Sequence, residues 1–388
     1  MRILVTGGAG FVGRFLCREL LERGHFVRVL DALLPQVHGD LASAESPTDT
    51  VPLERRGRVP AEVEFLHGDV RDGELVDRAL EGIDGVVHLA AEVGIGQSMY
   101  EVDRYVDGNT RGTARLWERL IAHPPRGVVV ASSMAVYGEG ACVDGQGRAA
   151  LAPRRLTERL QDRHWEPTDA AGEPLWAVPT AESHPARPTS IYALTKLDQE
   201  LQSLILGAAY GIPATALRFF NIYGPGQSLH NPYAGVVSIF AARLLAGGAP
   251  ELFEDGGQRR DFVHVKDVAR ACRLAVEQLV ERGLQAPCCG QPLNIGSGKS
   301  ISIGELAARL ATAFGRPDLE PVPTGHHRAG DIRHCFADTS AAARTLGFEA
   351  RVDMRDGLEE LARSIRAGEA GSIDDRAVRE LRDRGLVT

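Results

Sequence analysis

A glycine-rich turn near the start of the chain separates a short apolar run from a segment with helical spacing. The run "RILVT" is followed by "GGAG", then by "FVGRFLCRELLERG" and by a second, valine-rich run, "HFVRVLD". Short apolar runs bounded by glycine are typical of buried strands, and the spacing of the longer segment is typical of an amphipathic helix. Strand, turn, helix and strand within about 30 residues predict a βαβ unit.

The same alternation continues through the first third of the chain. The runs "VEFLHGD", "DGVVHLAA" and "GVVVASS" have the composition of strands, and "RDGELVDRALEG" and "NTRGTARLWERLIAH" have helical spacing. Alternation of this kind predicts an α/β fold in which helices cover both faces of a parallel sheet, the doubly wound Rossmann architecture. Helical and strand patterns after "IYALTKLDQELQSLILGAAYG" predict a smaller α/β domain toward the C-terminus.

Two domains and a tail are expected from these patterns. The predicted first domain comprises residues 1–220 and is completed by segments at about 236–247 and 262–283. The remaining segments of 221–366 form the predicted second domain, and 367–388 form a charged tail.

Composition narrows the classes of function. The 388 residues carry a formal net charge of -8, which argues against a broad nucleic-acid-binding surface. Six scattered cysteines include no C-x-x-C pair, so we predict reduced thiols and no metal site. The N-terminus lacks the apolar run of a signal peptide, and no apolar stretch reaches the roughly 20 residues that span a bilayer. We therefore expect a cytoplasmic protein that does not bind a membrane.

The glycine-rich turn has the spacing of a dinucleotide site. Gly8, Gly10 and Gly13 match G-x-G-x-x-G, and Gly7 offers a second register, G-x-x-G-x-x-G. Glycines let the backbone approach a pyrophosphate, and the following helix presents free N–H groups to it. The alternative is the turn of an unliganded sheet. The predicted cofactor-binding residues of this segment are Gly7, Gly10, Phe11, Val12 and Gly13.

An acid at the end of the second strand favours one dinucleotide over another. Asp31 stands 18 residues after Gly13, where a carboxylate accepts hydrogen bonds from the ribose hydroxyls and repels a 2′-phosphate. NAD is therefore expected rather than NADP.

Two further strand ends are predicted to contact the cofactor. Asp69 and Val70 follow the third strand, where they are placed to meet the adenine. Ala90 and Ala91 end the fourth strand, where small side chains permit a close approach of backbone to ligand. Simple packing is the alternative explanation for the two alanines.

A series of motifs resembles the extended short-chain dehydrogenase/reductase family, specifically its nucleotide-sugar epimerases and dehydratases. The matching pieces, in the family's order, are "TGGAGFVG", "GDV", "HLAA", "NTRGT", "SSMAVYG", "YALTK", "RFFNIYGPG", "RRDFVHVKDVA" and "NIGSG". They span residues 1 to about 300, and "GDIRHCFADTS" extends the resemblance toward residue 348. The resemblance implies an NAD-binding first domain, a nucleotide-sugar-binding second domain, and a homodimer formed by the helices near Asn109–His123 and Tyr192–Tyr210.

The resemblance also assigns the catalytic residues. Tyr192 is the acid–base group, Lys196 is its partner, and Ser133 bonds the reacting sugar oxygen. A phenol has a pKa near 10 and must shift by roughly three units to act near neutral pH. A nearby ammonium and an oxidised nicotinamide both favour the phenolate, and residues four apart share one face of a helix. The resemblance places Asn109, Ser132, Tyr192 and Lys196 beside the cofactor; strand-end hydrogen bonding is the alternative for Ser132.

The two residues after Ser133 discriminate among reactions of the family. Dehydrating members carry an Asp-Glu pair there and decarboxylating members carry a glutamate, whereas this chain has Met134 and Ala135. What remains is removal of hydride from a carbinol carbon and its return to the other face, which is epimerisation at C4 through a 4-keto sugar. The alternatives are a UDP-hexose or UDP-hexuronate 4-epimerase, an NAD(P)H-dependent 4-keto-sugar reductase, and a dinucleotide-sensing binding protein without turnover.

Three residues match the family's substrate site. Asn221 corresponds to an asparagine at the sugar and diphosphate, and Arg260 and Arg328 correspond to arginines that clamp the diphosphate. Guanidinium groups bind phosphate oxygens in pairs, although solvated surface arginines are the alternative. We expect a dTDP or UDP sugar as substrate.

A stretch at about 139–188 lacks periodicity and is rich in proline. It is predicted to be a long inserted loop, and such loops are usually functional lids or flexible. Together with "GQSLHNPYAGVVSIFAARLLAGGAPELFEDGGQRRDF", it resembles the 6-deoxysugar epimerase members of the family, among them dTDP-L-rhamnose 4-epimerases. A loop that folds over the substrate would exclude water and retain the keto sugar.

Overall fold

A computed structural model describes residues 1–38, 59–227, 235–328 and 331–367. Within these residues the largest element is a seven-stranded parallel sheet. Its strands are β1 (Arg2–Thr6), β2 (Phe26–Asp31), β3 (Glu64–His67), β4 (Gly85–His88), β5 (Gly127–Ser133), β9 (Ala214–Phe219) and β13 (Pro292–Ile295). Their order across the sheet is β3-β2-β1-β4-β5-β9-β13.

Helices connect these strands and cover both faces of the sheet. The described helices are α1 (Phe11–Glu22), α2 (Pro35–His38), α3 (Gly73–Leu80), α4 (Ile95–Ser98), α5 (Val102–Tyr105), α6 (Gly112–Ala122), α7 (Thr157–Gln161), α8 (Ile191–Tyr210), α9 (Val236–Leu245), α10 (Val265–Arg282), α11 (Ile303–Ala313), α12 (Ser340–Leu346) and α13 (Met354–Arg366). A π-helix (Val106–Arg111) precedes α6, and short 3₁₀ helices cover Met134–Tyr137 and Gly283–Gln285. The fold class is the Rossmann-like α/β arrangement predicted from the alternating pattern.

The strand order determines where a ligand can bind. From β1 the chain runs outward through β2 and β3, and then returns to the other side of β1 with β4. In open parallel sheets a crevice opens beyond the carboxyl ends of the strands at such a reversal. The glycine turn after β1, Asp31 at the end of β2, and Ala90 after β4 all lie at that edge.

Two apolar layers hold the helices to the large sheet. On one face α1 and α10 pack together through buried residues such as Leu16, Leu20, Val268 and Val276. On the other face, α3 and α6 bury residues that include Val76, Leu116 and Trp117. Each fully buried aliphatic side chain contributes about 1.5–3 kcal/mol to folding, so these layers make the sheet a rigid platform.

A second core lies under the smaller sheets. The strands of these sheets are β10 (Asn221–Tyr223), β11 (Glu251–Leu252), β12 (Arg259–His264), β14 (Ser300–Ser302), β15 (Val322–Pro323) and β16 (His334–Cys335). Strand β12 pairs with β10, β14 and β16, and β11 pairs with β15. Helices α9, α11 and α13 supply most of this core, whose buried residues include Phe240, Leu306 and Leu361.

Two segments lie elsewhere than their predicted domains. The sequence analysis places segment 236–247 in the first domain, but α9 packs against α11 in the second core. The predicted boundaries place β13 in the second domain, but it pairs with β9 at the edge of the large sheet. The sequence periodicity of each segment indicates a helix or a strand. It does not indicate which domain the apolar face of that element packs against. The division at 220/221 stays a prediction, and the predicted tail beyond residue 367 lies outside the described residues.

The predicted loop at 139–188 has secondary structure of its own. A small antiparallel sheet joins β6 (Cys142–Val143) to β7 (Ala149–Ala150) and β8 (Trp176–Ala177), and α7 follows β7. These strands are two residues long, so they are too short to show a period of two in the sequence. We call residues 139–188 the insertion.

In the described part of the chain, no helix combines the length and the apolar composition that crossing a membrane requires. All six cysteines are free thiols, and five of them are buried. The described residues contain no cluster of three or more histidine, cysteine or acidic side chains suited to a metal ion.

Candidate active site

The glycine turn after β1 is closely packed against the end of β4. Gly7 has φ +71°, and a Cβ atom there would lie 2.7 Å from the backbone nitrogen of Ala90. A Cβ atom on Gly13 would lie 2.5 Å from the carbonyl oxygen of Gly7. Both positions therefore require glycine, and Ala90 is as close to the turn as its small size suggested.

The first turn of α1 keeps its backbone donors available. Gly10 is the N-cap, and no side chain caps this helix. The N–H groups of the first residues of any helix lack intrahelical partners, and the helix dipole adds partial positive charge there. Phe11 and Val12 form the first turn and Gly13 completes the close contact, so an anionic ligand has a cradle of backbone donors at this point.

Asp31 lies directly over this cradle. One carboxylate oxygen accepts a hydrogen bond from the backbone nitrogen of Ala9 at 2.9 Å, and the other accepts one from Leu33 at 2.8 Å. His38 Nε2 lies 3.6 Å from the same carboxylate. These contacts fix the side chain beside the glycine turn, and its contact with the ribose of a dinucleotide stays a prediction.

The other strand-end residues divide between surface and core. Asp69 is paired with Arg71 at 2.6 Å and is partly exposed. Val70 is buried in the layer beneath α3 and α6. Ala91 lies beside Ala90 at the mouth of the crevice, where both are partly exposed. The structure therefore brings Ala90, Ala91 and the glycine turn together, while the carboxylate of Asp69 is bonded to its neighbour.

Tyr192 and Ser133 meet at the same edge of the sheet. Ser133 ends β5, and Tyr192 stands in the first turn of α8, whose N-cap Ser190 accepts a hydrogen bond from Ala193 at 3.1 Å. Burial raises the pKa of Tyr192, and a hydrogen bond with the side chain of Ser133 acts in the opposite direction. Tyr105 packs edge-on against the Tyr192 ring, with 6.5 Å between their centroids. The phenol is thus held at a defined place next to a hydroxyl donor.

Lys196 lies one turn further along α8 and is 3% exposed. Its Nζ atom donates to Oε1 of Gln199 at 2.7 Å, a partner that the sequence did not single out. Burial lowers the pKa of Lys196 to about 7, although Glu200 raises it. Burial therefore disfavours the charged form of this lysine, and the carboxylate of Glu200 favours it.

A buried polar chain runs from Lys196 to the foot of the glycine turn. The Nε2 atom of Gln199 donates to Thr113 Oγ1 at 2.7 Å, and the His88 ring bridges Thr113 and Thr6 at 3.1 and 2.7 Å. Burial, followed by the charge of Lys196, lowers the pKa of His88 to about 3. The imidazole is neutral at physiological pH and serves to position its neighbours.

Two predicted cofactor residues use their side chains inside the fold. Asn109 is fully buried; it donates to Thr195 at 2.9 Å and to the carbonyl of Glu92 at 3.1 Å, and it accepts from the nitrogen of Glu92 at 2.7 Å. The hydroxyl of Ser132 donates to the buried carboxylate of Glu200 at 2.5 Å. Asn109 therefore ties the segment after β4 to α8, and Ser132 shows the strand-end hydrogen bonding that was its alternative.

The three predicted substrate residues are not equivalent. Asn221 begins β10, and its buried Oδ1 atom has no hydrogen-bond partner among the described residues, so it is available to a ligand. Arg328 stacks on Phe253 at 5.1 Å, and its buried Nε atom is also without a partner there. Arg260 instead donates to the carbonyls of Arg259 and Arg333 at 2.9 and 2.8 Å.

Arg260 is also bonded to the carbonyl of Ile332 at 2.7 Å, so its guanidinium braces the segment before β16. It does not line the cavity that Arg328 lines. Backbone carbonyls therefore take part of the donor capacity of Arg260, and its role with Arg328 in a diphosphate clamp stays a prediction.

Ionic contacts hold the insertion against the second core. Arg333 is 1% exposed and lies 2.6 to 2.8 Å from the carboxylates of Glu166, Glu254 and Asp255. Arg155 of the insertion pairs with the second oxygen of Glu254 at 2.7 Å. The hydrogen bond from the His334 ring, reinforced by Arg333, lowers the pKa of Glu166 to about 2. The insertion is therefore docked as a wall of the site.

The residues around the crevice fit a bound NAD. The glycine cradle leaves backbone donors for a pyrophosphate, and Asp31 offers carboxylate oxygens for ribose hydroxyls. Lys196 is buried one helical turn after Tyr192 on α8. Gln199 and the insertion residues Arg155 and Glu166 were missed from the sequence. The three-residue spacing from Lys196 to Gln199 is a signal that could have identified the first, but the others depend on contacts distant in the chain.

Comparisons with a family profile and with individual proteins identify the same family. Residues 3–157 and 168–296 match the sequence profile described as the NAD dependent epimerase/dehydratase family. A dTDP-L-rhamnose 4-epimerase of Burkholderia thailandensis is 35% identical over 364 residues, which cover 93% of this chain and 93% of that protein.

Solved structures with the same fold include two epimerases. UDP-glucose 4-epimerase of Thermotoga maritima with UDP-glucose has a TM-score of 0.73 at 29% identity, and the match covers 95% of this chain and 99% of the other. UDP-glucose 4-epimerase of Thermus thermophilus in complex with NAD has a TM-score of 0.71 at 29% identity, over 94% and 99% of the two chains.

Proposed function

We propose a reaction for this chain from the premise that it belongs to the NAD dependent epimerase/dehydratase family. It is an NAD-dependent epimerase that inverts C4 of a nucleotide sugar. The observation that supports this reaction best is the meeting of Tyr192 with Ser133 at the carboxyl edge of the sheet, beside the glycine cradle.

The roles of the side chains follow from their positions. When bound, NAD supplies the oxidation of the C4 alcohol and its reversal. Tyr192 accepts the proton of the C4 hydroxyl and returns it, and Ser133 donates a hydrogen bond to the same oxygen. The ammonium of Lys196 favours the phenolate, which opposes the upward shift that burial imposes on the pKa of Tyr192. Gln199 holds the lysine in place.

The neighbours of Ser133 support epimerisation over elimination. Met134 and Ala135 are buried in the 3₁₀ helix that follows β5, and neither carries a transferable proton. A reaction that expels a hydroxyl or a carboxylate needs an additional acid or base, which these two positions do not supply. Oxidation at C4 followed by reduction from the other face needs only the groups already named.

The substrate proposed in finer detail is a dTDP-activated 6-deoxysugar. This choice is supported by the relative from Burkholderia thailandensis, which is named a dTDP-L-rhamnose 4-epimerase. Asn221 and Arg328 are the proposed contacts to the sugar and diphosphate, because both present buried polar atoms without partners among the described residues. A cytoplasmic location is also proposed, in keeping with six free thiols.

We expect the purified protein to contain NAD and to interconvert dTDP-L-rhamnose and its C4 epimer without a net change in NAD. Because the same hydrogen leaves and returns to C4, the reaction run in D₂O should place no deuterium on carbon, as measured by NMR. Net consumption of NADH or NADPH with a 4-keto sugar would indicate a reductase. Deuterium on carbon would indicate enolisation, and either result would contradict the proposed reaction.

A homodimer through α8 and the segment before α6 is also proposed. Leu194, Leu201 and Ile205 lie on one face of α8 and are 44–62% exposed, and Val102 and Val106 are exposed on the adjacent segment. Large apolar side chains on one face of two neighbouring helices are typical of an interface with a second copy.

Replacing both Leu201 and Ile205 by glutamate is expected to convert a dimer into monomers, because charges would be buried in the interface. Light scattering after size-exclusion chromatography would then report the mass of one chain instead of two. Leu245→Glu, at an exposed apolar position on α9, is the matched control and should remain dimeric. A wild-type protein that elutes as a monomer would contradict the proposal.

A further inference from the structure

A cavity of about 370 Å³ lies between the insertion and the segment before β16. Its lining includes the insertion stretch Leu151–Arg155 and, from the segment before β16, Arg328 and Ile332. Thr189, which also lines it, is three residues before Tyr192, and Tyr137 ends the 3₁₀ helix that begins after Ser133. We call it the insertion cavity; it adjoins the proposed catalytic residues.

Arginines outnumber acids around the insertion cavity. The lining residues include Arg154, Arg155, Arg187 and Arg328. The charge of Arg155 is matched by Glu254 at 2.7 Å. In the described residues, none of the other three forms an ion pair.

The two acids of the lining are already engaged. Glu139 accepts hydrogen bonds from the backbone nitrogens of Arg333 and His334 at 2.8 and 2.5 Å. Asp331 accepts one from the nitrogen of Ile332 at 2.9 Å and lies 3.6 Å from Arg260. Among the described residues, neither acid forms an ion pair with Arg154, Arg187 or Arg328, and Asp331 instead faces Arg260.

The remaining groups are suited to an oxyanion. Among the described residues, the guanidinium of Arg187 donates one long hydrogen bond, to the carbonyl of Ala152 at 3.3 Å, and the buried Nε atom of Arg328 has no partner. His184 also lines the cavity, and burial lowers its pKa, which disfavours the protonated ring. Guanidinium groups bind phosphate oxygens with paired, charge-assisted hydrogen bonds.

We propose that Arg154 and Arg187, both from the insertion, bind the diphosphate of the nucleotide sugar together with Arg328. This inference rests on the function proposed above and adds to it a task for the insertion. A diphosphate carries more than one negative charge, which matches these three cations better than a single carboxylate does. The insertion then contributes directly to substrate affinity as well as covering the site.

The test measures the dissociation constants of UDP and dTDP for the NAD-loaded protein by isothermal titration calorimetry. Arg154→Gln and Arg187→Gln are each expected to weaken binding about tenfold, since a charge-assisted hydrogen bond is worth roughly a factor of ten or more in affinity. Arg148→Gln is the matched control: it lies in the insertion, is exposed, pairs with Asp144 at 2.8 Å and does not line the cavity.

Unchanged affinity for both nucleotides in the double variant Arg154→Gln, Arg187→Gln would overturn the inference. Unchanged affinity for UDP together with weaker binding of UDP-glucuronate would also overturn it, because the arginines would then recognise a sugar carboxylate. Failure of the wild-type protein to bind either nucleotide would contradict the proposed function itself and the inference with it. Equal NAD content in all variants shows that each has folded.

Discussion

Replacing Tyr192 by phenylalanine is expected to lower kcat by about 10²–10⁴-fold, the usual contribution of a positioned acid–base group. The change removes one oxygen atom and keeps the ring, so the edge-on packing against Tyr105 remains. The protein should therefore fold and retain NAD while losing turnover. Steady-state assays of C4 inversion, with the NAD content measured after denaturation, separate the two effects.

Tyr210→Phe is the matched control for this variant. Tyr210 ends the same helix and is 58% exposed, so loss of its hydroxyl should leave kcat unchanged. Wild-type turnover in the Tyr192 variant would remove the phenol from the mechanism.

A second variant, Lys196→Met, tests whether the charge of Lys196 lowers the pKa of Tyr192. Burial raises the pKa of Tyr192. In the proposed mechanism, the ammonium of Lys196, one turn further along α8, favours the phenolate. Loss of that charge raises the pKa of the phenol further, so the acidic limb of the kcat/KM profile should move to higher pH. A lower plateau with no displacement of the limb would show that Lys196 only binds the cofactor.

Replacing Arg333 by methionine is expected to lower the free energy of unfolding by about 3–5 kcal/mol, as for the loss of one partner from a buried ion pair. Arg333 is 1% exposed, and it lies 2.8 Å from Glu254, which is almost as deeply buried. Burial raises the pKa of Glu254, and the arginines oppose that shift. Urea denaturation would measure the loss, which is a large part of the roughly 5–15 kcal/mol that holds a typical domain together.

The double variant Arg333→Met, Glu254→Gln should recover none of that stability, because Glu254 keeps Arg155 as a partner at 2.7 Å in the single variant and its neutralisation leaves the buried Arg155 without one. Arg316→Leu is the control at an exposed pair with Asp318, where no measurable loss of stability is expected. Proteolysis in 139–188 should accelerate in the Arg333 variant, because Glu166 of the insertion loses a contact at 2.6 Å. Equal stabilities of the Arg333 and Arg316 variants would contradict the role assigned to the buried network.

Local sequence patterns were sufficient to predict the large parallel sheet and the glycine turn at its edge. Strands such as Gly127–Ser133 are continuous apolar runs because both of their faces are covered, and that pattern is visible without coordinates. The glycine spacing was informative because of close packing. A Cβ atom at Gly7 would lie only 2.7 Å from the backbone nitrogen of Ala90, so this position excludes any side chain. The NAD cofactor and the epimerase family follow from these motifs, and the comparisons confirm both.

Long-range contacts determined what the motifs left open. Arg260 matches a phosphate-binding position in sequence, yet it braces the carbonyls of a segment more than seventy residues away. The partner of Lys196 proved to be Gln199, and the hydroxyl of Ser132 is bonded to Glu200. In each case the residue type was informative, but its contacts depended on which other groups shared the same buried space.

The sequence by itself determined the parallel sheet and the glycine turn before α1, because each depends on residues close in the chain. It also gave Asp31, Ser133, Tyr192 and Lys196 as candidate site residues, through motifs that lie far apart. Only the tertiary structure decided that the insertion docks through Glu166 and Arg155, and that Arg154 and Arg187 line one cavity with Arg328. The packing of distant segments decides which charged side chains form ion pairs and which stay unpaired. The periodicity of the sequence contains no information about these contacts.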